Sequence, residues 1–96
     1  MNCATHFNMY LSKTYEFDSF EEAMDYMHRA TAVISRINHH PEWTNRYNRL
    51  EVRLTTHDQG NVVTQRDHQL ATELDQLFTE TPSSRTKTTG DWQEIS

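Results

Sequence analysis

The chain has a single cysteine, Cys3, close to its start, so no disulfide can form within it; this fits a reducing compartment. It has no excess of positive charge. Nine lysines and arginines against fourteen acids give a formal charge of -5, the wrong sign for a sequence-independent binder of nucleic-acid phosphates. No apolar run approaches the length of a membrane span, and the opening "MNCATHFNMY" lacks the basic flank and apolar centre of a secretory signal. These absences lead to the expectation of a soluble, cytoplasmic protein. Apolar residues are also scarce, at 34% of the chain with a mean hydropathy of -0.91. Ninety-six residues of this composition make one domain with a modest core, and burying surface between copies is a common remedy at that size. An activated nucleophile is missing too: Cys3 is terminal, and no serine stands in a strand–turn–helix elbow.

What is present is regular patterning. Phe7, Met9, Leu11, Tyr15 and Phe17 fall at odd positions with mostly polar residues between them, the period of an extended segment with one buried face, interrupted by Lys13. In "DSFEEAMDYMHRATAVISRIN", Ser19 and Glu22 have capping-box spacing, with Asp18 as an alternative N-cap. Phe20, Ala23, Met24, Met27, Ala30, Ile34 and Ile37 then form one helical stripe. The helix is expected to end at Asn38, because Pro41 follows closely. Leu50, Val52 and Leu54 alternate with Arg49, Glu51 and Arg53, a strand with one buried and one solvated face; Thr56 keeps the buried parity and His57 the exposed one. After a turn at Gly60 and Asn61, Thr64 and Asp67 repeat the capping-box spacing, and Leu70, Leu74, Leu77 and Phe78 supply a second apolar stripe. The chain reads as an α+β domain over residues 1–78. It is a two-layer fold with an antiparallel sheet of about four strands, helices on one face and the order β-β-α-β-β-α. From Thr79 onward, low apolar content predicts a disordered tail over residues 79–96, with Trp92 unpacked.

His39, His40 and His57 remain to be explained. Adjacent histidines in a proline-containing turn are often solvated and inert. A zinc site needs a fourth ligand or a water-completed triad, and neighbouring side chains such as His39 and His40 usually diverge; no HxxxH or HExxH pattern is present. Acid–base chemistry without a metal is the third reading. Imidazoles titrate near neutrality, so a group of them in one pocket can donate one proton and accept another, which suits elimination, isomerisation or hydration.

"HHPEW", the following "YN", "TTHD" and "TQRDHQLA" together resemble the pterin-4a-carbinolamine dehydratase family. That family's pattern is an ionisable residue, three positions, His-His-Pro, an aromatic, nine positions, His and a later Asp. His39, His40, Pro41, Tyr47, His57 and Asp67 match it in order, and the likeness runs from about Leu11 to Leu77. Ser35 departs from the pattern, standing where the ionisable residue would be. The family's N-terminal helix has no counterpart in "MNCATHFNMY".

The resemblance implies a lyase that dehydrates 4a-hydroxytetrahydrobiopterin to quinonoid dihydropterin in tetrahydrobiopterin recycling, with neither metal nor cofactor. It implies His39, His40 and His57 as the catalytic group, with Asn38, Thr55 and Thr56 beside them contacting the pterin through backbone groups. Asp67 is either a helix cap or an orienting partner of a histidine. The resemblance also implies a homodimer pairing sheet edges, or a homotetramer made through helices. No direct contact with nucleic acid or membrane is expected. The alternative it carries is a non-catalytic protein-binding role, as a transcription-factor dimerisation cofactor or an enzyme assembly factor, in which case the protein would also be nuclear.

Overall fold

In a computed structural model the described residues are 9–57, 60, 62–80 and 92–95. They form β1 (Tyr10–Glu16), α1 (Phe20–Ile37), β2 (Glu42–Arg46), β3 (Arg49–Leu54), α2 (Gln65–Glu80) and β4 (Gln93–Ile95). The four strands make one antiparallel sheet in the order β2-β3-β1-β4. An α+β sheet of four strands with two helices is what the sequence predicts, but the order of elements differs. Among the described residues one strand precedes α1, and the fourth strand comes from the far C-terminal segment. Phe7 of the predicted first extended segment lies outside the described residues.

The alternation in β3 is realised residue by residue. Leu50, Val52 and Leu54 are fully buried, while Arg49, Glu51 and Arg53 lie on the exposed face. β1 supplies Leu11 and Tyr15 to the same buried layer, followed by Phe17. Lys13 shares their parity yet is tolerated because its ammonium reaches Asp75 of α2 at 2.8 Å, and the Tyr15 hydroxyl donates to the same carboxylate at 2.6 Å. Burial, helped by the neighbouring Tyr26 and by Asp75, pushes the Tyr15 hydroxyl far above the usual tyrosine range. Burial likewise raises that of Tyr26. Both therefore remain neutral hydrogen-bond donors at ordinary pH.

Ser19 caps α1 as its spacing predicts, its hydroxyl accepting the Glu22 amide. The buried face is rotated from the predicted stripe. Ala23, Tyr26, Ala30 and Ile34 are buried, whereas Phe20 and Met24 are 39% and 42% exposed. Tyr26 joins the core because its hydroxyl donates to the Leu74 carbonyl at 2.7 Å, so a polar atom enters the interface between the helices already paired. Arg36 and Glu73 tie the two helices together at their surface.

A disordered tail from Thr79 is not what the described part of that segment shows. Thr79 and Glu80 complete α2, Gln93–Ile95 pairs with Tyr10–Ser12 of β1, and Trp92 packs against the core with its ring 6.2 Å from that of Tyr15. Backbone pairing along the open edge of β1 requires little of the side chains, so a three-residue strand of mostly polar composition can form there. Residues 81–91 and 96 of the predicted tail lie outside the described residues. Tyr47, the aromatic residue of the family pattern, sits on the β2–β3 turn, 69% exposed and with a left-handed φ of 53°.

Candidate active site

The site is built where two connections meet, the one leaving α1 and the one entering α2. Asn38 ends α1 in the left-handed conformation (φ 61°), its amide closing on the Ile34 carbonyl. Asparagine tolerates this geometry better than most residues, and it turns the chain sharply, leaving the His39 amide 3.4 Å from the same Ile34 carbonyl. On the other side, Thr56 forms an isolated bridge to Val62, and the Gly60 amide donates to the His57 carbonyl at 3.0 Å. Gly60 has a φ of 88°, which explains a glycine at that turn. This arrangement holds His57 beyond the end of β3 and brings Thr64 beside Thr56.

An open depression of about 230 Å³ lies between these connections, lined by Asn38, His39, His40, Thr55, His57 and Arg66. The three predicted histidines therefore line one hollow, though they are not equivalent. His39 is buried at 6% exposure, and its Nε2 lies 2.6 Å from Oδ1 of the fully buried Asp67. His40 is exposed. His57 is exposed as well, with Nε2 3.8 Å from Glu42 Oε2. Such a contact between solvated groups contributes little to stability.

Asp67 has a partner on each of its carboxylate oxygens. Its Oδ2 accepts the Thr64 amide at 2.9 Å, which is the carboxylate half of a capping box, while Oδ1 holds His39. The other half is altered: Thr64 Oγ1 turns to Thr56 Oγ1, 2.7 Å away, and Thr56 Oγ1 is 2.8 Å from Asp67 Oδ2. Thr56 is thus buried behind the hollow instead of lining it. Thr55 does line it, and its hydroxyl donates to the Met9 carbonyl at 2.7 Å. Arg66 is a lining residue that sequence reading misses. Nothing in a lone arginine of a first helical turn marks it, although a cation there opposes the helix dipole and is locally unfavourable. Ser35 is exposed on α1 and does not line the hollow.

A larger depression of about 400 Å³ lies on the exposed face of the sheet, lined by Thr14, Thr44, Arg46, Arg49 and Glu51. It contains no imidazole and no buried carboxylate, so its size does not make it the better candidate for proton transfer. Among the described residues no three histidine, cysteine or acidic side chains are grouped to hold a metal ion. Nor is any described helix long and apolar enough to cross a membrane.

Known proteins resemble this chain in sequence and in fold. The family model described as "Pterin 4 alpha carbinolamine dehydratase" matches residues 5–77. A protein of Opitutus terrae named "Putative pterin-4-alpha-carbinolamine dehydratase" is 51% identical over 67 residues, covering 70% of this chain and 69% of its own. One of the same name from Prochlorococcus marinus is 39% identical over 71 residues, covering 74% of each chain. The crystal structure of a transcriptional coactivator/pterin dehydratase from Brucella melitensis superposes with a TM-score of 0.67 at 34% identity, over 71% of each chain. With the matched region spanning α1, strands β1 to β3, all but the last turn of α2 and every residue of the hollow, the chain belongs to the pterin-4a-carbinolamine dehydratase family.

Proposed function

We propose that this protein is a hydro-lyase that converts 4a-hydroxytetrahydrobiopterin to quinonoid dihydropterin, using histidines as acid and base without a metal or other cofactor. The observation that carries this reading is the asymmetry of the three imidazoles around one hollow: one buried and fixed to a carboxylate, two on the wet rim. Loss of water requires a proton on the departing hydroxyl, cleavage of the carbon–oxygen bond and removal of a proton from a ring nitrogen. The rim imidazoles of His40 and His57 exchange protons with solvent and suit the first task. His39, held through Nε2, presents its other nitrogen and suits the second. Asn38 and Thr55 contribute backbone groups to the pterin, and the Arg66 guanidinium is a donor for its carbonyl oxygen.

In an assay with synthetic carbinolamine, dehydration is expected to persist after exhaustive chelation, since among the described residues no three histidine, cysteine or acidic side chains are grouped to hold a metal ion. Activity lost to the chelator and restored by zinc would overturn the metal-free mechanism.

A homodimer or homotetramer accompanies this proposal. Phe20 and Met24 stand exposed on α1, an apolar surface that a second copy would cover in a domain with so small a core. Light scattering on the full chain should give at least twice the mass of one chain; a folded monomer at micromolar concentration would contradict it. The same surface also supports a second reading, binding of a different protein, and the name of the Brucella melitensis relative includes "transcriptional coactivator". The two readings part on catalysis: a purely binding protein would not accelerate the dehydration.

A further inference from the structure

The carboxylate beneath the hollow is met by more donors than a helix cap requires. Asp67 Oδ2 has the Thr64 amide at 2.9 Å and Thr56 Oγ1 at 2.8 Å, with Thr64 Oγ1 farther off at 3.5 Å, and Oδ1 has His39 Nε2 at 2.6 Å. The amide can only donate. A hydroxyl has one proton to give, so Thr56 donates to Asp67 only if it accepts at its own oxygen from Thr64 Oγ1, 2.7 Å away. The Thr64 hydroxyl gives its proton to the nearer of its two acceptors, Thr56 at 2.7 Å against Asp67 at 3.5 Å, so the directions follow as a chain: Thr64 hydroxyl to Thr56, Thr56 hydroxyl to Asp67. Thr56 and Asp67 are 1% and 0% exposed, so water does not substitute for these donors. With Oδ2 receiving two donors, the group is satisfied as an ionised acceptor. Its Oδ1 contact is then an N–H bond given by the imidazole. The resting proton of neutral His39 lies on Nε2 and its lone pair on Nδ1.

We propose that Thr56, backed by Thr64, is a positioning residue for the reaction: through Asp67 it holds His39 in the Nε2–H tautomer and leaves Nδ1 as the nitrogen that accepts a proton from the ligand. Thr56 touches neither the ligand nor the ring. Its effect on turnover rests on the dehydratase reading, whereas the tautomer does not.

The test is a two-bond nitrogen–proton correlation spectrum of the ¹⁵N-labelled full chain, recorded where the histidines are neutral, together with kinetics on the carbinolamine. The wild-type protein should show His39 protonated at Nε2. Thr56→Val, which keeps the side-chain shape but removes the donor, should give a mixture of tautomers. Its kcat should fall about 10- to 100-fold, the range seen when a partner that orients an imidazole is lost, with KM within about twofold. Thr56→Ser should restore both. A wild-type ring protonated at Nδ1 would overturn the proposal without any variant. So would a Thr56→Val protein that keeps the single Nε2–H tautomer and full kcat. If the protein fails to dehydrate the carbinolamine, the spectrum still reports the tautomer, so the two failures are told apart.

Discussion

His39→Ala is expected to lower the dehydration rate about 100- to 10,000-fold, the usual contribution of a positioned acid or base. It should also destabilise the fold by about 1–3 kcal/mol, because Asp67 loses a donor it cannot replace from solvent. The paired effects distinguish this residue from its neighbours. His40→Ala and His57→Ala should cut the rate within the same range yet leave stability within about 0.5 kcal/mol, since both side chains are exposed. Rate measurements and urea unfolding on the three variants check this. Equal stability losses at all three positions, or none at His39, would mean that the buried pair does not hold the ring as described.

Tyr15→Ala is expected to cost about 3–5 kcal/mol, the range for truncating a buried aromatic residue. The side chain is fully buried, and its ring centroid lies 4.7 Å from that of Phe78 and 5.3 Å from that of Tyr26, so it joins β1 to both helices. A small domain has only about 5–15 kcal/mol of stability in total, so this variant should be near the limit of folding. Tyr15→Phe separates ring from hydroxyl. It leaves Asp75 bonded to Lys13 and should cost about 1 kcal/mol. Thermal or denaturant unfolding of both variants measures the difference; a Tyr15→Ala protein within about 1 kcal/mol of wild type would refute the central place given to this ring.

The parts of the fold that local pattern determines are legible in the chain. Ser19 and Glu22 announce the start of α1, and Leu50, Val52 and Leu54 announce the buried face of β3, because capping and alternation act over a few residues. Tyr26 is hidden from such reading: a phenol outside an apolar stripe looks like surface until the Leu74 carbonyl, distant in sequence, is found to receive its hydroxyl. β4 is hidden for another reason. Its stability comes from the backbone of β1, so "QEI" carries no sign of it. The histidines are visible as a group only through their family spacing, and their inequality is not visible at all. What separates His39 from His40 is the left-handed turn at Asn38 and a carboxylate 28 positions away. Asp67 is half legible, since its capping offset from Thr64 is local and its bond to His39 is not. Arg66 has no local pattern to betray it, and only the packing of α2 beside the hollow brings it to the rim.

The most direct test of the account is the rate of dehydration of synthetic 4a-hydroxytetrahydrobiopterin by the purified full chain, followed as quinonoid dihydropterin forms, with His40→Ala and His57→Ala measured beside it. The account predicts acceleration over the uncatalysed reaction by the wild-type protein and its loss by about 100-fold or more in each variant. A folded wild-type protein that leaves the rate unchanged, or rim variants as active as the wild type, would contradict it.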